Sequence, residues 1–147
     1  MTLQARIQDD MKAAMRSGDK ERLGTIRLIM AAVKQREIDE RITLDDAQLL
    51  GVLEKMAKQR RESMAQFQAG GRADLVAKEA AELAIITAYL PAALTDAELD
   101  TLIADAIGVT GATSIKDMGK VMGLIKTRAQ GRADMAAVGA RIKARLA

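Results

Sequence analysis

Four residues near the C-terminus have the types and the spacing to bind a phosphate backbone. On a helical wheel of about 100° per residue, the side opposite the apolar stripe carries Lys116, Gly119, Lys120 and Gly123. Glycine lacks a side chain, so an anionic backbone could approach the helix closely while the lysines supply charge. Two interior glycines lower the stability of a helix by about 2 kcal/mol relative to alanine. This cost indicates that the absence of side chains at these two positions serves a purpose.

Two arginines extend this patch across the following turn. The candidate surface, called the basic face below, comprises Lys116, Gly119, Lys120, Gly123, Arg128 and Arg132. Residues 116–147 hold eight Lys/Arg and two Asp, whereas the whole chain has a net charge of +3. Because the chain has one Phe and one Tyr, we predict that the basic face holds phosphates without reading bases by stacking. The alternative is a small-residue groove in which another helix packs closely.

The chain lacks the residues that most enzymes use for catalysis. It has no His and no Cys, which removes the usual general base, the thiol nucleophile and the common zinc ligands. Carboxylates could hold magnesium, but the adjacent pairs Asp9/Asp10 and Asp45/Asp46 point in different directions on a helix. We therefore predict no catalytic residue, no metal site and no cofactor.

The composition is that of an all-α protein. Hydrophobic residues make up 49% of the chain but aromatic residues only 1%, and a single Pro interrupts it. The longest apolar run, residues 28–33, is shorter than the roughly 20 residues of a membrane span or the 7 to 15 of a signal-peptide core. We predict a soluble cytoplasmic protein that makes no contact with a membrane.

Caps and breakers divide the first part of the chain into four helices. The first runs from about residue 2 to 16 and ends at Gly18, and the second begins after Asp19 and ends near residue 41. A capping box of Thr43 and Asp46 opens a third helix that ends at residues 70–71. Asp74 is expected to cap the fourth, and the proline at position 91 ends it.

The remainder predicts three further helices. An acidic helix from about residue 95 to 110 opens on a Thr95/Glu98 capping box and ends at Gly111, and its core side is Leu99, Leu102, Ile103, Ala106 and Ile107. A sixth helix opens on a Ser114/Asp117 capping box, with a core side of Ile115, Met118, Val121, Met122 and Ile125. The last helix starts near Asp134. We therefore predict an N-terminal four-helix lobe, residues 1–91, followed by a C-terminal three-helix lobe, residues 92–147.

Several short motifs along the chain resemble the GatB/YqeY family, and in particular its stand-alone YqeY-like members. The motifs are Lys58-Gln-Arg-Arg-Glu-Ser63, Gly71-Arg-Ala-Asp-Leu75, Tyr89-Leu-Pro91, Asp117-Met-Gly-Lys-Val-Met-Gly123 and Gly131-Arg-Ala-Asp134. The resemblance covers essentially the full chain. It implies an all-helical protein whose C-terminal lobe is similar to the tail domain of the B subunit of the glutamine-dependent tRNA amidotransferase.

The resemblance also implies a partner and a reaction class. In that enzyme the tail engages tRNA, while glutamine hydrolysis and acyl-group activation reside in other domains. The positions that match the tail motif are Gly119, Lys120, Gly123, Gly131 and Asp134. What is implied is a tRNA-binding accessory of the amidotransferase, a carbon-nitrogen ligase with glutamine as amido donor, or of another tRNA-handling protein. This chain is then not catalytic alone.

Two other hypotheses stay open from the sequence. The chain could itself be a component that transfers amide nitrogen, although no catalytic residues are visible. It could instead be a helical protein-protein adaptor without nucleic-acid binding, because residues 92–115 hold four acidic and no basic residues and the basic helices follow them. In that adaptor the acidic and basic helices would face different partners.

Overall fold

The computed structural model describes residues 1–129 and 131–147, and α-helices dominate them. The prediction of an all-α fold is confirmed, since the described residues contain seven α-helices, one 3₁₀ turn and no strand. The α-helices are α1 (Leu3–Ser17), α2 (Lys20–Glu40), α3 (Asp46–Ala69), α4 (Ala73–Thr87), α5 (Asp96–Thr110), α6 (Met118–Ala129) and α7 (Met135–Leu146), and the 3₁₀ turn is Ile115–Asp117.

The chain divides into two compact units, Met1–Leu90 and Pro91–Ala147. The N-terminal unit contains α1 to α4, with a core built from Ile7, Ile26, Ile29, Val33, Leu44, Leu49, Val52, Leu53, Met56, Ala57, Ile86 and Tyr89. The C-terminal unit contains α5 to α7, with a core built from Leu99, Ile103, Ala106, Val121, Ile125, Ala129, Val138, Ile142 and Leu146. Each unit thus buries its own set of apolar side chains.

Within the N-terminal unit, α3 and α4 are joined by a largely buried ion pair. Arg60 on α3 lies 3.1 Å from the carboxylate of Glu82 and 3.7 Å from that of Glu79, both on α4. The side chains of Arg60 and Glu82 are each 16% exposed. One arginine thus satisfies two carboxylates that would otherwise be poorly solvated.

The only tyrosine of the chain connects the end of the N-terminal unit to α1. Tyr89 is 5% exposed, its hydroxyl donates to the carboxylate of Asp10, and the Arg6 guanidinium lies 5.1 Å from the ring centroid. Burial, together with the hydrogen bond to Asp10, raises the pKa of Tyr89 from 10.0 to about 12. The phenol is therefore held in its neutral, donating form.

This pKa predicts how stability depends on alkaline pH. Because the pKa of Tyr89 is higher in the folded state than in the unfolded state, its contribution is complete below about pH 10 and disappears as the pH rises through about 12. Urea unfolding monitored by circular dichroism should show the free energy of unfolding falling in that window. Tyr89→Phe should lower stability by about 1–2 kcal/mol at neutral pH and remove this part of the alkaline decline. An unchanged alkaline profile in the variant would contradict the assignment.

Several predicted helix ends are confirmed. Gly18 and Gly111 adopt the left-handed conformation after α1 and α5, at φ of 73° and 67°. Asp19 and Asp134 cap α2 and α7 through their side chains, and Thr95 forms the predicted capping box with Glu98.

Three predicted caps are wrong, because other donors hold the carboxylates. Asp46 accepts from the backbone N–H of Leu3 at 3.0 Å, so the box that opens α3 is formed by Asp45 and Gln48. Asp74 lies inside α4 and pairs with Arg72, which holds the pKa of this carboxyl below its ordinary value. Ser114 makes no side-chain cap, and its expected partner Asp117 accepts from the N–H of Thr113.

Two side chains predicted for the core of the C-terminal unit lie elsewhere. Ile115 is 45% exposed because the chain enters α6 through a 3₁₀ turn, which changes the direction of its side chain. Leu102 is half-buried and does not pack against the core.

Among the described residues, no helix combines the length and the hydropathy that crossing a membrane requires.

Candidate nucleic-acid interface

The predicted basic face lies on α6 and the turns that flank it. Lys116 belongs to the 3₁₀ turn, Gly119, Lys120, Gly123 and Arg128 lie on α6, and Arg132 lies between α6 and α7. All are exposed except Arg132, which is half-buried. The structure therefore places five of the six predicted residues on one accessible stretch.

Both glycines of the basic face border open space. A Cβ atom added at Gly119 or at Gly123 would meet no atom within 4 Å. The close helix packing that we considered as an alternative is therefore absent from these positions in the described chain. It occurs instead at Gly139 on α7, which is buried and whose added Cβ would lie 3.4 Å from Cε of Met118.

The cations of α6 are available for a ligand. In residues 1–129 and 131–147, Lys116, Lys120 and Arg128 form no ion pair. Residues 116–128 include four basic side chains and a single acidic one, Asp117. The exposed side of α6 is therefore positive and uncompensated along most of its length.

Arg132 differs from the other cations because the C-terminal unit already uses it. Its Nε donates to the carbonyl oxygen of Ala92 at 3.0 Å, and its guanidinium lies 3.8 Å from the carboxylate of Glu98. Its own carbonyl oxygen accepts from the N–H of Leu94 at 2.7 Å. Arg132 thus connects the start of the C-terminal unit to the turn after α6 by hydrogen bonds, and the carboxylate of Glu98 offsets part of its positive charge.

The acidic helix α5 receives its counter-charges from α7. The two Nη atoms of Arg141 lie 2.7 Å from the carboxylate of Asp96 and 2.8 Å from that of Asp100. The side chain of Glu98 accepts from the N–H of Thr95, which holds the pKa of Glu98 below its ordinary value. Local sequence patterns do not reveal these pairs, because the partners of Arg141 are 41 and 45 residues away along the chain.

The described residues contain no group of three or more acidic, His or Cys side chains that could hold a metal ion. The one geometry on α6 that suits a ligand is an open pair of glycines between exposed cations, and its chemistry is the binding of anions.

A family model described as "Yqey-like protein" matches residues 4–146. The chain belongs to the YqeY-like family. The predicted family membership is confirmed.

Curated relatives of this chain come from fungi. A 103-residue alignment with "Altered inheritance of mitochondria protein 41, mitochondrial" of Eremothecium gossypii is 42% identical and covers 69% of this chain and 56% of that protein. The protein of the same name from Pyrenophora tritici-repentis is 34% identical, and the alignment covers 84% of this chain and 71% of that protein. The one from Kluyveromyces lactis is 40% identical, and the alignment covers 58% of this chain and 46% of that protein. The alignments with these YqeY-like relatives thus span about half to two thirds of each relative.

These relatives correct one prediction. From the absence of cysteine and of a long apolar run we expected a cytoplasmic protein, but the relatives are named as mitochondrial proteins. The expectation was wrong because such features are shared by proteins of many compartments and do not identify one of them.

Proposed function

We propose that the C-terminal unit binds tRNA through phosphate contacts on the basic face, and that the chain serves as an accessory to a glutamine-dependent tRNA amidotransferase or another tRNA-handling protein. The observation that carries this proposal is the open pair Gly119 and Gly123 beside the exposed Lys116 and Lys120. The choice of tRNA as the anion rests on the resemblance of the motifs at 117–123 and 131–134 to the amidotransferase tail domain.

Physical chemistry supports a phosphate ligand at this place. Glycine removes the bulk that would keep a sugar-phosphate chain away from the helix, and the lysines act as strongly hydrated point charges. Lys116, Gly119 and Lys120 are also close to the N-terminal end of α6, where the helix dipole favours negative charge. Asp117 opposes this attraction, but its carboxylate already accepts from the N–H of Thr113.

The charge distribution favours tRNA binding over the adaptor hypothesis. An acidic docking surface on α5 would need several free carboxylates, but Asp96 and Asp100 are bound to Arg141 and Glu98 is near Arg132, which leaves Asp105 as the one acidic side chain of α5 without an ion pair among the described residues. By contrast, the cations of the basic face on α6 have no such partners among the described residues. We assign any amide transfer to the partner enzyme, since the chain has no His or Cys to act as base or nucleophile.

Salt dependence is the direct test of this function. If Lys116, Lys120 and Arg128 each neutralise one phosphate, a plot of log affinity against log salt concentration should have a slope of about −2 to −3. Lys120→Glu should weaken binding about tenfold and make the slope shallower by about 1. Fluorescence anisotropy with labelled tRNA at several salt concentrations measures both quantities.

The matched control for this test is Lys143→Glu, which makes the same charge change at an exposed position of α7 outside the basic face. It should weaken binding by less than threefold, an order-of-magnitude expectation for one remote surface charge. Equal losses in both variants would mean that only net charge matters and would refute the assigned surface.

Co-purification with and without nuclease then separates contacts made through tRNA from direct protein contacts.

A further inference from the structure

A cleft of about 440 Å³ opens on the C-terminal unit, beside the end of α6. Its lining comes from α5, from α6 and from the segments that precede α5 and α7, and consists of Leu94, Glu98, Thr101, Leu102, Arg128 and Arg132. The volume lies within the range of roughly 300–1,000 Å³ that is usual for pockets that hold small organic groups. The cleft is therefore large enough for a ligand rather than for single water molecules.

The cleft is lined in part by apolar surface of two leucines that the core does not cover. Leu102 is half-buried on α5, yet it does not pack against the core that Leu99 and Ile103 help to form. Leu94, also half-buried, packs against that core with part of its surface and lines the cleft with the rest. A ligand with an apolar or aromatic surface would shield the part of the Leu102 side chain that faces the cleft.

The rim of the cleft carries two guanidinium groups. Arg132 is held in place by the carbonyl of Ala92 and the carboxylate of Glu98, while Arg128 is exposed and forms no ion pair with any described residue. A guanidinium is planar, stacks on aromatic rings and binds phosphate through two parallel hydrogen bonds. The carboxylate of Glu98 adds a hydrogen-bond acceptor at the same rim.

These two properties together select a class of ligand. A simple anion would use the arginines but leave the leucines exposed, and an aliphatic group would cover the leucines but leave the arginines unused. An unpaired nucleotide matches both, because its base is a flat aromatic ring and its phosphate is an anion. Arginine planes take part in base stacking in RNA-binding proteins, so the scarcity of aromatic side chains does not exclude it.

The cleft is continuous with the basic face. Lys120, Leu124 and Arg128 follow one another at four-residue spacing along α6, and all three are exposed. With a rise of 1.5 Å per residue, Lys120 and Arg128 are separated by about 12 Å along the helix axis. An RNA strand that lies on the glycines and lysines of the basic face therefore passes Arg128 as it reaches the cleft.

We propose that the cleft binds one unpaired nucleobase of the RNA whose phosphates lie on the basic face. The inference rests on the proposed tRNA-binding function and adds to it a base contact that the phosphate contacts do not provide. Leu94 and Leu102 cover the faces and edges of the base, Arg128 stacks on it or binds its phosphate, and Glu98 accepts hydrogen bonds from amino groups of the base.

The first test compares two glutamine variants on α5. Leu102→Gln should weaken tRNA binding about tenfold while the salt slope stays that of the wild type, because a base contact is lost and no phosphate contact changes. Val109→Gln also replaces an apolar side chain of α5 with glutamine, at a position that is 78% exposed and outside the cleft, and it should bind like the wild type. Wild-type affinity of Leu102→Gln would overturn the proposal, and circular dichroism of both variants verifies that they fold.

The second test uses the intact chain with a single nucleotide. With methyl-labelled leucine, adenosine monophosphate at millimolar concentration should shift the NMR signals of Leu94 and Leu102, and ribose 5-phosphate should not. No shift with the nucleotide, or the same shift with both compounds, would overturn the base pocket.

The two tests also separate this inference from the function on which it rests. Salt-sensitive tRNA binding of the wild type with no effect of Leu102→Gln refutes the pocket alone. Leucine shifts with adenosine monophosphate but no tRNA binding by the wild type would identify a site for free nucleotides, and would refute both the RNA ligand and the proposed function.

Discussion

Replacement of Gly119 and Gly123 by glutamine is expected to stabilise the protein and, at the same time, to weaken tRNA binding. Gly123 lies in the interior of α6 and Gly119 in its first turn, and neither has an atom near its missing Cβ, so glutamine meets no steric obstacle there. Glycine is less favourable than good helix formers by about 0.5–1 kcal/mol in a helix interior, and by less at a helix end. The double variant should therefore unfold with a free energy higher by about 0.5–1.5 kcal/mol.

The affinity should change in the opposite direction. If a sugar-phosphate chain lies against these two positions, two glutamine side chains prevent its close approach and lengthen the contacts to Lys116 and Lys120. Loss of two hydrogen-bond-like contacts of about 1 kcal/mol each corresponds to roughly a 30-fold lower affinity. Thermal unfolding by circular dichroism and anisotropy with tRNA measure the two effects on the same sample.

A matched control is available on the neighbouring helix. Gly108 lies in α5, is exposed, and also has no atom within 4 Å of an added Cβ. Gly108→Gln should therefore stabilise the protein without changing its affinity for tRNA. If the double variant on α6 binds tRNA as tightly as the wild type, the glycines serve another purpose and the basic face is not the binding surface.

The opposite signs of these effects have a physical cause. Gly119 and Gly123 share with Gly108 the open space around an added Cβ, but only the pair on α6 lies beside lysines, and Gly108 has no basic residue within four positions. The lysines therefore distinguish the pair on α6 as a place for an anionic partner. Gly139 shows the contrasting case, because its neighbour Met118 belongs to the same unit. The sequence alone does not distinguish the two kinds of glycine, since both occupy helix interiors.

Local signals predicted the all-α fold and several helix ends, but not the contacts between residues that are distant in the sequence. Helix ends such as Gly18, Asp19 and the Thr95/Glu98 box depend on residues within four positions of each other, and they form as expected. One cap failed through long-range competition, since the N–H of Leu3 donates to the carboxylate of Asp46. The other two failed through local competition, because Arg72 pairs with Asp74 and the N–H of Thr113 donates to Asp117. Periodicity likewise placed Leu102 in the core but did not reveal the cleft.

For the candidate site, the sequence predicted the group of residues but not their separate roles. Helical spacing alone places Gly119, Lys120 and Gly123 on one exposed face of α6. It gives no means to recognise that Arg132 donates to the carbonyl of Ala92, or that Arg141 pairs with Asp96 and Asp100 on α5. Those contacts join residues 40 or more positions apart, which only the packing of the three helices brings together.

Ile142→Ala is expected to lower the unfolding temperature of the C-terminal unit while that of the N-terminal unit stays unchanged. Ile142 is fully buried in the core of the C-terminal unit, and loss of such a side chain to alanine costs about 2–5 kcal/mol. A unit the size of residues 91–147 has a total stability of roughly 3–9 kcal/mol. The substitution therefore removes much of the stability of this unit and moves its unfolding to lower temperature.

The chain contains a natural probe for this experiment. Tyr89 is its only tyrosine, there is no tryptophan, and Tyr89 is buried in the N-terminal core. In Ile142→Ala, tyrosine fluorescence should keep its wild-type transition, while far-ultraviolet circular dichroism should gain an earlier one. Ile7→Ala, which empties a fully buried position of the N-terminal core, should shift the tyrosine transition instead.

The same variant connects stability to the proposed function. At a temperature between the two transitions, Ile142→Ala should retain the tyrosine signal of the folded N-terminal unit and lose salt-sensitive tRNA binding, because the basic face exists only while α6 is held by its core. If both signals shift together, the two cores unfold as one cooperative structure. If binding survives the early transition, the tRNA contact lies on the N-terminal unit, and the assignment of the basic face is wrong.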